Sequence, residues 1–127
     1  MAGPQGSKYY NVFLEYGVYL TNRESGGRLD DALVQLLSGI HQTGSLRLAA
    51  DSTGISYRKA WGDIRKAEKF IGFALVEKIR GGKDGGFSRL TSDGADLVAA
   101  FHHLHQEFDA AIHRTTKEFF HDLNKNG

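Results

Sequence analysis

At 127 residues with 40% hydrophobic content, the chain is long enough for one domain with an extension and a modest core. It has no cysteine, which excludes disulfides and thiolate metal sites. The formal charge of +1 is near balance only in sum. Residues 56–89 hold Arg58, Lys59, Arg65, Lys66, Lys69, Lys78, Arg80, Lys83 and Arg89 against four acidic groups, whereas both flanks carry an acidic excess. A basic middle between acidic flanks is a footprint for phosphates. No apolar run reaches the length of about 18 residues that a membrane span needs, and the start lacks the charged-then-apolar order of a signal peptide, so a cytoplasmic location is expected.

Residues 1–9 are expected as a disordered tail. In Tyr10–Thr21, Tyr10, Val12, Leu14, Tyr16, Val18 and Leu20 alternate with Asn11, Glu15, Gly17 and Thr21, the period of a half-buried strand that needs a sheet partner. A polar loop over Thr21–Gly27 comes next. Leu29, Leu33, Leu36, Leu37 and Ile40 then form a helical stripe, with Asp30 and Asp31 in the first turn, where carboxylates suit the helix dipole.

The stretch Leu46–Phe70, LRLAADSTGISYRKAWGDIRKAEKF, reads as a short helix, a turn at Gly54 and a second helix opening at Ser56. Gly54 can take the left-handed conformation that ends a helix, and Ser56 can accept a hydrogen bond from the free N–H groups opening the next. Ala50 is small enough for two helices to cross closely. Ala60, Ile64, Ala67 and Ile71 recur at buried-stripe spacing, while Tyr57, Arg58, Arg65, Lys66 and Lys69 take the other side. These are the offsets of a helix-turn-helix built for a polyanion. Glu68 is expected to partner a basic neighbour.

Phe73–Arg80 reads as a strand, Gly81–Gly86 as a glycine-rich hairpin tip and Phe87–Leu90 as the return strand. A hairpin behind a helix-turn-helix makes a winged helix, and Lys83 at its tip has reach for phosphate. Trp61 is expected to pack between the second helix and this wing. GGKDGG also has the composition of a phosphate-cradling nucleotide loop, but such a loop opens a helix, and here a strand comes after it.

Thr91 is the expected N-cap of the last helix, with Asp93 and Asp96 in its first turn. Leu97, Phe101, Leu104, Phe108, Ala111 and Thr115 recur at heptad spacing, and Ile112, Phe119 and Leu123 shift the stripe by a position. A helix of about 30 residues spans roughly 45 Å, too long for so small a domain to cover. Its apolar seam (Leu97, Phe101, Leu104, Phe108, Ile112 and Phe119) is therefore expected to meet the same helix of a second copy. His102 and His105, at i and i+3, have reach for a metal shared with Asp109. No third ligand is fixed by spacing, and a solvated face accounts for such histidines equally, so neither metal nor cofactor is expected.

GSLRLAADSTGISYRKAWGDI, then LVEKIRGGKDGGFSRLTSDGADL, resembles the N-terminal DNA-binding domain of the molybdate-responsive regulator ModE. The carrying motifs are G-I-S-Y-[KR]-x-A-W at Gly54–Trp61 and the L-V-E…G-G-K-x-G-G…L-T…G wing, and the likeness covers roughly residues 10–120. The L-T-x-x-G at Leu90–Gly94 is more distantly similar to LysR-type regulators. The resemblance implies a winged helix with a long dimerisation helix, and an N-terminal strand completing the wing sheet. It also implies a recognition helix that opens with Ser56, Tyr57, Arg58 and Lys59 toward the major groove. The family's oxyanion-binding domains lie outside the resemblance, so molybdate and tungstate are not expected to bind.

The fold class expected is thus mainly α with a small β-sheet. A winged helix-turn-helix occupies residues 10–91 and a long dimerisation helix residues 92–124. The function expected is transcriptional regulation by a homodimer on an inverted-repeat operator in double-stranded DNA, with Ser56, Tyr57, Arg58, Lys59, Arg65, Lys66 and Lys83 as the contacting set. The alternative is a winged-helix module that grips protein or RNA without reading duplex sequence. Enzyme readings do poorly, because no Ser/His/Asp set sits in recognisable context and the carboxylates are scattered over helix starts.

Overall fold

A computed structural model describes residue 6, residues 8–79 and residues 87–125. The element order is β1 (Tyr19–Thr21), β2 (Arg28–Asp30), α1 (Asp31–Thr43), α2 (Leu46–Thr53), α3 (Tyr57–Ile71), β3 (Val76–Ile79), β4 (Phe87–Leu90) and α4 (Ser92–Lys125). The chain divides into two compact units, Val18–Phe101 and Met1–Gly17 with His102–Gly127, so α4 contributes to both.

The larger unit is a winged helix. Its core is apolar and continuous, from Leu29 through Val34, Leu37 and Ile40 of α1 to Leu46, Ala60, Ile64, Leu75 and Phe101, each at most 3% exposed. α1 begins where Asp30 accepts a hydrogen bond from the Leu33 N–H at 3.3 Å, so Asp30 is a cap rather than a first-turn residue. Leu29, expected on the helix, instead lies in β2 and reaches the core from there. α1 and α2 cross closely at Gly39 and Ala49, while Ala50 lies in the core at 1% exposure. A Cβ placed on Gly39 would stand 2.9 Å from the Ala49 Cβ.

The N-terminal strand is much shorter than the alternation over Tyr10–Thr21 suggests, and it does not complete the wing sheet. β1 pairs antiparallel with β2 (Tyr19 opposite Asp30, Thr21 opposite Arg28), while β3 and β4 form a separate two-stranded sheet. Asn22 explains the choice of partner. Its side-chain oxygen accepts hydrogen bonds from the Glu24 and Ser25 N–H groups and folds the chain straight back. Pairing across so short a loop costs less closure entropy than reaching the wing. The Asn22 amide also donates to the Phe70 carbonyl at 2.8 Å, satisfying a free acceptor at the end of α3.

In the wing, Val76 pairs with Leu90 and Ile79 with Phe87, so β4 matches expectation and β3 starts three residues later than Phe73. The delay has a cause in Glu68. Its carboxylate accepts from the Leu75 and Val76 N–H groups at 2.7 and 3.2 Å, holding that stretch as a turn; its partner is backbone, not the basic side chain expected. The Ser88 N–H donates to the Gly44 carbonyl at 2.9 Å, tying β4 to the α1–α2 junction. Lys83 and the rest of the tip, residues 80–86, lie outside the described residues.

α4 starts as expected, with the Thr91 hydroxyl accepting from the Gly94 N–H at 2.9 Å and donating to the Ala74 carbonyl at 2.8 Å. Its first turns are used by the winged-helix core: Phe101 is 3% exposed and Leu97 packs against that core, so neither is free for a second copy as the seam assigned them. In the smaller unit, Thr116 and Phe120 are buried, and the Tyr9 ring tilts against Phe120 at 6.3 Å. Phe108 and Phe119 remain 45% and 49% exposed, and Tyr10, Val12, Phe13 and Tyr16 of the same unit are exposed too. Among the described residues no helix is long and apolar enough to cross a membrane.

Candidate nucleic-acid interface

The α2–α3 turn is fixed by local chemistry. Ser45 caps α2 by accepting from the Leu48 N–H at 3.1 Å. Gly54 ends α2 at φ 75°, a conformation that side chains with a Cβ rarely adopt, and the Ile55 N–H returns to the Ala50 carbonyl at 3.1 Å. Ser56 then caps α3 by accepting from the Lys59 N–H at 3.0 Å, which leaves its hydroxyl proton for an outside acceptor.

With Ala60, Ile64 and Ala67 buried, the remaining circumference of α3 presents Tyr57, Arg58, Lys59, Arg65, Lys66 and Lys69, all exposed. The structure sorts these into two flanks. Lys59 and Lys66 line a cleft of about 670 Å³ with Arg28, Asp30, Asp63 and Phe70, and Lys59 is already paired with Asp63 at 2.9 Å. Arg65 is on the other flank, over the Trp61 ring at 5.2 Å from its centroid. Arg58 lies one turn before Gly62 on the exposed face, with no ion-pair partner among the described residues.

Two cations join this surface that the contacting set omitted. Arg47, in the first turn of α2, sits over the Tyr57 ring at 4.8 Å. Lys78, on β3, sits over Trp61 at 4.5 Å. Tyr57 and Trp61 meet edge to face, 6.4 Å apart and at 88°, so three cations from three elements stand on two joined rings. The signal for Tyr57–Trp61 was their i, i+4 spacing; that for Arg47 and Lys78 was only their charge, because the approach of β3 to α3 is tertiary. As expected, Trp61 packs between helix and wing. Arg89 is less free than its position suggests, paired across the strands with Glu77 at 2.7 Å.

A positive helix-turn-helix surface with few carboxylates suits phosphate and base edges. Among the described residues no group of three or more His, Asp or Glu side chains converges as metal ligands; His105 is hydrogen-bonded to Asp109 at 3.3 Å.

The likenesses to known proteins agree with this geometry. The chain is 39% identical over 87 residues to the molybdenum transport protein ModE of Herbaspirillum seropedicae, covering 68% of this chain and 32% of that one. It is 36% identical over 77 residues to the DNA-binding transcriptional dual regulator ModE of Escherichia coli, covering 61% of this chain and 29% of that one. The chain carries a ModE-like domain. No family model matches. The ModE-like domain spans about a third of the length of these relatives. Its fold is similar to that of ArgP from Mycobacterium tuberculosis, with a TM-score of 0.53 at 20% identity over 68% of this chain and 31% of that one.

Proposed function

We propose that this chain is a DNA-binding regulator of transcription that docks α3 in the major groove of an inverted-repeat operator as a cytoplasmic homodimer, without catalysis or a cofactor. The observation that carries the reading is the exposed cation face assembled by α2, α3 and β3, where Arg47, Arg58, Arg65 and Lys78 have no carboxylate partner among the described residues. Ser56, Tyr57 and Arg58 enter the groove first, and Arg65, Lys66, Lys69 and Lys78 track phosphates. Fluorescence anisotropy at two salt concentrations, with duplex DNA, single-stranded RNA and heparin as competing ligands, tests it. Duplex DNA should bind tightest, and equal affinity for all three would show mere polyanion attraction.

Arginine can bond guanine O6 and N7 together, so Arg58→Ala should cost about 1–3 kcal/mol on the operator and far less on random duplex. Equal losses on both would make Arg58 a phosphate clamp. For the homodimer, the supporting surface is Phe108 and Phe119, apolar side chains left half in water on α4. Sedimentation at micromolar concentration should show a species of twice 14.0 kDa. Phe108→Asp should return it to the monomer, and a wild-type monomer would refute the dimer.

A further inference from the structure

Trp61 is the only tryptophan in the chain, and its position is hard to explain by packing alone. Its ring is half-buried beside the core, yet its Nε1 is enclosed with no hydrogen-bond partner among the described residues. The one polar atom of the indole is therefore turned away from any ligand, and Trp61 as placed cannot donate to a base edge or a phosphate. What the ring does meet is charge. Lys78 Nζ stands 4.5 Å and the Arg65 guanidinium 5.2 Å from its centroid, inside the range of cation–π attraction, for which tryptophan is the strongest partner. Neither cation is paired with a carboxylate among the described residues.

That choice of partner matters chemically. A carboxylate would fix Lys78 and Arg65 but cancel their charge toward a polyanion. An aromatic face orients them, leaves the charge whole and leaves N–H groups for an outside acceptor. The two cations come from different elements, Arg65 from α3 and Lys78 from β3. Their shared ring thus fixes the spacing between the helix's charge and the wing's. Ordering such long side chains in advance removes an entropy cost from binding.

We propose that Trp61 is a positioning residue for the polyanion interface: it holds Arg65 and Lys78 at a set spacing for two phosphates and touches neither base nor phosphate itself. This rests on the DNA-binding reading above.

The full chain carrying Trp61→Leu, Trp61→Phe, Lys78→Met, Arg65→Met and the Trp61→Leu/Lys78→Met pair tests it, in two steps. The first needs no DNA. Because Trp61 is the sole indole, its emission reports the contact directly, and both Lys78→Met and Arg65→Met should change its intensity or maximum. Emission unmoved by either substitution overturns the proposal. The second is titration with a random-sequence duplex over a salt series. Trp61→Leu should weaken binding about two- to five-fold, with little change in salt slope because no charge is lost. Lys78→Met should lower the slope by about one unit. The double variant should lose less than the product of the two single losses, and Trp61→Phe should restore most of the affinity with the same circular-dichroism melt as wild type. Independent, multiplicative losses, or a Trp61→Leu protein that binds like wild type, overturn the proposal. A wild-type chain that ignores duplex DNA fails the function reading itself, and the positioning role falls with it.

Discussion

Gly94→Ala is expected to destabilise the winged-helix unit by about 2–4 kcal/mol, a large share of the roughly 5–15 kcal/mol a domain of this kind holds. The sign is not obvious from helix chemistry, since alanine inside a helix is ordinarily better than glycine by about 1 kcal/mol. It is decided by what stands next to the glycine. A Cβ on Gly94 would overlap the Leu75 carbonyl oxygen, and that oxygen belongs to rigid backbone. The same oxygen accepts the Thr91 N–H at 2.9 Å, so moving it away breaks the bond that seats α4 on the end of the α3–β3 turn. Gly62→Ala supplies the internal control. Gly62 lies mid-way along α3 with nothing within 4 Å of a Cβ, and its replacement should stabilise by about 0.5–1 kcal/mol. Urea and thermal melts of the two variants should therefore move in opposite directions. At about 4–8 °C per kcal/mol, a Gly94→Ala protein melting like wild type would show that the turn yields.

The contrast between these glycines marks what sequence can and cannot disclose. The helix-turn-helix is legible because caps are local: Gly54 and Ser56 each act on neighbours within three or four positions, as does Ser45, which only the structure identifies as a cap. The wing's return strand was legible for the same reason, bounded by a glycine run and by Thr91. Strand pairing was not, because two strands compete for one partner and an asparagine side chain decides between them. The alternation through Tyr10–Thr21 points to a strand, yet only Tyr19–Thr21 form one, and Tyr10, Val12, Phe13 and Tyr16 stay exposed. At Glu68 a carboxylate among lysines suggests an ion pair, while its partners are backbone N–H groups that only the folded turn presents.

The candidate interface divides along the same line. Residues on α3 are placed by helical spacing, and every one assigned there is exposed. Which of them share a flank is not, since that depends on what packs on either side. Asp63 engages Lys59 beside the cleft, and β3 brings Lys78 onto Trp61. Arg47 belongs to the surface only because α2 crosses α3 where the Tyr57 ring can receive it. Periodicity gives a residue its direction from its own helix axis, and tertiary packing gives it its neighbours.

Phe101→Asp and Phe108→Asp, one heptad apart on α4, should separate folding from assembly more sharply than any other pair in the chain. Both belong to the same apolar stripe by spacing, so sequence alone assigns them the same fate. Phe101 is 3% exposed and lies in the winged-helix core with Ile64 and Leu75, whereas Phe108 is 45% exposed. Losing the Phe101 ring alone costs about 3–5 kcal/mol. An aspartate in its place adds the penalty of a buried, unpaired carboxylate, or of the proton needed to neutralise it. The total matches or exceeds the stability available to a domain of this size. Phe101→Asp should therefore show no cooperative melt at pH 7 and no binding to any DNA. At Phe108 the carboxylate stays in water, so the circular-dichroism spectrum and melt of the monomer should persist. Only the proposed dimer, with its affinity for an inverted repeat, should be lost. Each half-site would then bind separately and weakly, without the cooperativity of a two-fold pair. Circular dichroism and sedimentation of the two variants side by side decide the matter. A folded Phe101→Asp protein would mean that the start of α4 detaches from the core at little cost, and the burial of Phe101 would then carry none of the stability assigned to it.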